Sequence, residues 1–220
     1  MGIQLSTQTA LCPEADLTNI AVALTAQLRD VARAWRVDPL TVSTHSHPSW
    51  YPFTIVDDIP EAPGALAYHD IDPTGKPYGR IGAKGCIHSG ISISSAISHE
   101  AVELLGDTYC ATWAYSTRLN ALIAQELCDP VQDGTYDIGT IEVSNYVLPA
   151  YFEDEADGPY DHLGELSQPF SIARGGYQIK MTAGRVTQVF GDRFDPILRE
   201  AKAASHGRTY WREVQAAAQD

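Results

Sequence analysis

Apolar positions set the first element of this chain. Ile20, Leu24, Leu28, Val31 and Trp35 recur three to four residues apart, and Arg29, Asp30, Arg33 and Arg36 fall on the other side. That stripe predicts an amphipathic helix of about five turns, capped by Asp16 or Thr18 and ending before Asp38-Pro39. The period then shortens to two. Trp50 to Val56 is aromatic and β-branched and predicts a strand closed by Asp57-Asp58. A Pro/Gly loop over 60–64 leads into a second strand over 65–71. Asp72-Pro73-Thr74-Gly75 reads as a turn, and 78–87 predicts a third strand weakened by glycines. A second helix is predicted over 92–105, entered through one of Ser92, Ser94 and Ser95 and terminated by Gly106. A third is predicted over 117–128, with Leu119, Leu122, Ile123 and Leu127 as its apolar face and Asp129-Pro130 as its stop. Residues 136–152 read as extended, and 153–169 as an acidic surface loop. Residues 175–190 read as a hairpin turned around Thr182-Ala183-Gly184, and 196–218 as a short polar helix or tail.

Bulk properties narrow the function classes. The chain has 220 residues, enough for a core that needs no disulfides, and predicts one domain over 1–195 with a tail over 196–220. A formal charge of −13 argues against a nucleic-acid surface. Cys12, Cys86, Cys110 and Cys128 form no C-x-x-C pair, so a zinc knuckle is not expected and free thiols are. The first residues lack a basic segment followed by an apolar one, so no signal peptide is expected. No apolar run reaches the roughly 18 residues a membrane span needs. A soluble protein, cytoplasmic or virion-associated, is the expectation, with neither membrane nor nucleic acid as partner. A serine-hydrolase elbow, a P-loop and a G-x-G-x-x-G turn are all missing from the sequence.

The chemistry concentrates in Ser98-His99-Glu100-Ala101-Val102-Glu103-Leu104-Leu105-Gly106-Asp107. It reads as H-E-x-x-H with Glu103 in place of the second histidine. His99 and Glu103 are one helical turn apart on one face, so one metal ion can take both. Glu100 is placed to act as general base on water activated by that ion. A catalytic zinc takes three protein ligands, and three routes lead to the third. Glu126, on the predicted next helix, is one, with Asp129 then holding the ring of His99 from behind. Asp107 is another, provided Gly106 turns the chain, because on a straight helix it lies about 12 Å from His99. A histidine from elsewhere, His69 or His88, is the third. A metzincin-type spacing would place the ligand at Tyr109, a poor one for zinc. An isolated H-E-x-x-E can equally be a solvated charged helix face.

The wider order of segments adds a resemblance. Segments 31–35, 64–70, 98–107, 126–130 and 143–152, and Gly175-Gly176-Tyr177, follow one another in an order that resembles zincin-like metallopeptidase-type proteins. The likeness is to an uncharacterised bacterial and phage group with an H-E-x-x-E helix, and it covers most of 20–190. It implies an α+β, zincin-like fold: a small twisted mixed sheet packed on helices, with the active-site helix around 93–105. It implies Zn²⁺, or another divalent metal, at His99, Glu103 and Glu126, with Asp107, Asp129 and His69 as alternative or supporting groups. The activity implied is peptide hydrolysis with Glu100 as base, slow or degenerate, on a peptide or protein substrate. The other implied use is an inactive zincin fold in a phage particle, which assembles with itself or with other virion proteins. In the peptidase use, the strand at 66–70 is a candidate for the edge that aligns an extended peptide by β-augmentation. Tyr146 and Tyr151 lie in a segment that could wall the site.

Overall fold

Ile3 and Leu5 point one way from the first strand and Gln4 and Ser6 the other, and both apolar side chains are fully buried. This strand, β1 (Gly2–Thr7), belongs to the central sheet, and its two-residue period was not among the expected elements. The computed structural model describes residues 1–192. Helix α1 (Glu14–Trp35) starts after Pro13 rather than at Asp16 or Thr18, and ends at Arg36 in the left-handed region. Its stripe of Leu17, Ile20, Leu24, Leu28 and Val31 is buried as the spacing predicts. Then follow β2 (Thr41–Ser43), β3 (Tyr51–Val56), β4 (Ala67–Ile71) and β5 (Pro77–Gly82). The expected third strand thus stops at Gly82, and Ala83–His88 is a short helix, α2, followed by α3 (Ile93–Gly106).

The five strands form one sheet in the order β2-β1-β3-β5-β4. All neighbours are parallel except β4, which runs antiparallel to β5 at the edge. Helices α1 and α3 pack against each other, α1 on β1 and β2, α3 on β4 and β5.

The expected third helix is not formed. Trp113–Ser116 and Ala121–Ala124 are strands, β6 and β7, of an antiparallel hairpin. The Asp154 carboxylate accepts bonds from the Thr117 and Arg118 amides and the Thr117 hydroxyl, and this fixes the turn. After a single 3-10 turn at Asp129–Val131 come β8 (Thr135–Ile138) and β9 (Ile141–Ser144), a separate hairpin against α3. The extended reading of 136–152 fails beyond Ser144, where Pro149–Phe152 is another 3-10 turn. Strands β10 (Tyr177–Thr182) and β11 (Arg185–Phe190) form the expected hairpin, and β10 joins β7. The fold is therefore α+β, with three helices and several sheets among the described residues. The tail expected over 196–218 lies outside them. All four cysteines are buried and free, and no described helix is long and apolar enough to cross a membrane.

Candidate metal centre

Helix α3 is the most buried of the three described helices, and that decides what its polar residues must do. Ser92 caps it by accepting the Ser95 amide. Ile97, Ala101 and Leu104 enter the main core. Ser98, fully buried, donates to Gln27 Oε1 of α1 at 2.7 Å and accepts the Ser144 amide at 2.9 Å. Gln27 donates in turn to the Ser144 carbonyl. This ring locks α1, α3 and the end of β9 together one residue before His99. Glu100 is 5 % exposed and Glu103 0 %, so the motif is no solvated charged face.

His99 Nε2 lies 3.3 Å from Glu103 Oε1 and 3.2 Å from Asp129 Oδ1. One donor atom from each of the three residues falls within 4.8 Å of the others. The three differ in access: the His99 side chain is 16 % exposed, and Asp129 1 %. Asp129 Oδ2 is buried and accepts no hydrogen bond among the described residues. Burial opposes charge on His99, but Glu103 and Asp129 outweigh it and hold the imidazole up to about 10. The Cys128 thiol, buried beside Glu103, Asp129 and Glu100, is pushed well above its usual range, which makes it an inert group.

A second group shares Glu103. His69, on β4, places Nδ1 3.2 Å from Glu100 Oε2 and Nε2 3.3 Å from the Asp107 carbonyl oxygen. His69, Glu100 and Glu103 are all buried, and they too offer donor atoms within 4.8 Å of one another.

Asp129 reaches His99 because the chain bends. The β6–β7 hairpin returns the backbone to the end of α3, and the 3-10 turn at Asp129-Pro130-Val131 directs the carboxylate inward. Gly176 lies directly against this turn: a Cβ there would sit 2.3 Å from the Pro130 carbonyl oxygen. That contact brings Tyr177 over the acidic group. Burial first, then the charges of Asp129, Glu103 and Glu126, push its phenol well above the ordinary range. Tyr177 had no place among the expected site residues. The Gly175-Gly176 pair was its signal, since such pairs mark close backbone approach.

The other expected residues divide. Glu126 is buried near Tyr177, but Asp129 stands in its place beside His99. Asp129 is not behind the ring: it faces the same nitrogen as Glu103. The Asp107 carboxylate accepts the Ala111 and Thr112 amides and the Thr112 hydroxyl and anchors the loop after α3. His88 and Tyr109 are exposed. Tyr146 bonds with His162, and Tyr151 donates to the Ser171 carbonyl, so neither hydroxyl is directed at the group.

In comparisons with protein-family models, with curated proteins and with solved structures, nothing matches this chain.

Proposed function

We propose that His99, Glu103 and Asp129 bind one divalent cation, zinc first among them, and that the protein is a zincin-like metal-dependent peptidase. The observation that carries this is the pair of carboxylate oxygens at 3.2 and 3.3 Å from a single ring nitrogen. One N–H cannot point at both. Two atoms each about 2.1 Å from one ion lie roughly 3.0–3.4 Å apart, so the same spacing suits ligands of a shared metal. The buried Asp129 Oδ2, which accepts no hydrogen bond, fits a donor set that holds a cation.

A bound ion would supply Lewis acidity, polarising a carbonyl and making water easier to deprotonate. The chain's own part falls to Glu100. Its carboxylate takes the proton from water and passes it to the leaving amine. His69, bonded to Glu100 Oε2, holds that carboxylate in place. One imidazole with two carboxylates is a harder, more negative set than two imidazoles with one carboxylate, and it predicts weaker Lewis acidity and slow turnover. The zincin-like reading is supported by the order of helix, mixed sheet and motif helix. It is supported too by β4, an antiparallel edge strand beside α3 where an extended peptide can pair. It departs from the expectation in one respect: the third ligand comes from a 3-10 turn.

The burial of Glu100 favours a second use of the same ion, as a structural cross-link between α3 and the Asp129 turn. Metal analysis of purified wild type, His99→Ala and Asp129→Asn, followed by a peptide-library screen with Glu100→Gln, separates the readings. About one ion per chain in wild type, lost in both variants, with cleavage abolished by Glu100→Gln, is the expected result. Bound metal without cleavage leaves the structural use. No metal in wild type overturns both.

A further inference from the structure

Helix α3 offers donor atoms on two sides, one toward the Asp129 turn and one toward β4. On the β4 side, the Asp107 carbonyl can only accept, so His69 Nε2 carries the hydrogen of that contact. This is the bond that a ligating imidazole makes through its other nitrogen. It leaves Nδ1 facing Glu100 Oε2 at 3.2 Å, a hydrogen-bond contact in which a shared cation can take the place of the proton. Glu103 completes the group, and the same carboxylate belongs to the His99–Glu103–Asp129 group. Charge points the same way. Glu100, Glu103, Glu126 and Asp129 are four buried carboxylates beside two imidazoles, a donor set whose charge suits divalent cations.

We infer that the chain holds a second divalent cation between His69, Glu100 and Glu103, with Glu103 bridging it to the first. The inference rests on the proposed His99–Glu103–Asp129 site. It adds regulation, because Glu100 cannot be both ligand and base. With the second position empty, Glu100 keeps its contact with His69 and serves as the base of the proposed hydrolysis. With it filled, the carboxylate is held and the proposed hydrolysis stops. Excess cation therefore inhibits.

The test is metal stoichiometry with Zn²⁺ alone, by equilibrium dialysis and elemental analysis, on wild type, His69→Asn, Glu100→Gln and Asp129→Asn. Folding of each variant is checked by circular dichroism. Wild type is expected to take up two equivalents as free Zn²⁺ is raised. His69→Asn and Glu100→Gln should stop at one, and Glu100→Gln, nearly isosteric, serves if the buried histidine variant does not fold. With Mn²⁺ as probe, electron paramagnetic resonance should show the six-line spectrum of an isolated ion collapse as the second equivalent binds beside the first. Saturation of wild type at one equivalent, lost in Asp129→Asn but kept in Glu100→Gln, overturns the second position and leaves the proposed function standing. Two equivalents that persist in both His69→Asn and Glu100→Gln also overturn it. No uptake at all overturns the first site as well.

Discussion

Removing one hydroxyl, Ser98→Ala, tests whether the ring joining α1, α3 and β9 holds the motif helix in place. The substitution deletes two bonds: the 2.7 Å donation to Gln27 Oε1 and the 2.9 Å acceptance from the Ser144 amide. Ser98, Gln27 and Ser144 are 0–1 % exposed, so water cannot replace either partner. The Ser144 amide loses its acceptor outright, at about 1–3 kcal/mol, and the Gln27 bond adds about 1 kcal/mol. The sum, roughly 2–4 kcal/mol, is a large part of a stability that totals about 5–15 kcal/mol. Urea denaturation in the presence of chelator should show a lower midpoint with an unchanged slope. The melting temperature should fall by about 4–16 °C for a domain of this size. Gln27→Leu should cost a similar amount, and the double variant less than the two together, because both act on one ring. A loss in Ser98→Ala below about 0.5 kcal/mol would refute the claim that this ring anchors α3.

Three further outcomes follow from the site and its surroundings. Zinc at about 100 times its dissociation constant should stabilise the wild type by about 2.7 kcal/mol in thermal melts and His99→Ala not at all. In the metal-free protein the His99 imidazole is held up to about 10 against an ordinary 6.5, so its contribution to stability is complete below about pH 6.5 and is lost as pH rises through 10. Denaturant midpoints across that range should therefore fall in wild type more than in His99→Gln. Gly106→Ala would place a Cβ 2.5 Å from Leu127 Cδ1, at a cost of about 1–3 kcal/mol. Because Leu127 lies two residues before Asp129 and next to Cys128, whose amide donates to Glu103, calorimetric titration should also find weaker zinc binding.

What was legible in the chain depended on distance along it. The face shared by His99 and Glu103 follows from helical geometry alone, and the stripe of α1 and the final hairpin follow from local period. The 117–128 segment misled because Leu119, Leu122, Ile123 and Leu127 sit at helical spacing. What makes it a hairpin is Asp154, more than thirty residues away, which captures the turn amides. No local rule shows that. The same bend exchanged Glu126 for Asp129 beside His99. Gly106 ends α3 as its type predicts, and the structure adds a second reason for it: the Leu127 side chain occupies the position of its missing Cβ. β1 was legible in principle, since Ile3 and Leu5 alternate with polar neighbours.

Glu103 is the residue on which the two cation positions meet, and replacing it with histidine separates them. Glu103→His recreates H-E-x-x-H with Asp129 as third ligand. Imidazole suits zinc better than a second carboxylate does, and the change removes one negative charge from the buried group. Zinc affinity at the first position should rise by about tenfold, or about 1.4 kcal/mol. The variant can no longer bridge, so its uptake should stop at one equivalent even in excess zinc. It also loses the carboxylate that accepts the Cys128 amide at 3.4 Å, a long contact whose loss is small beside the gain. Competition against a chromophoric chelator gives the affinity, and dialysis the count. Folded protein with no gain in zinc affinity would mean that Glu103 is not a ligand and that its 3.3 Å approach to His99 is an ion pair and nothing more. A gain in affinity with two equivalents still bound would keep Glu103 at the first position and remove it from the second. In the expected case, one tighter ion and no second, the glutamate at this position is what lets the chain trade strength at one site for a second that controls it.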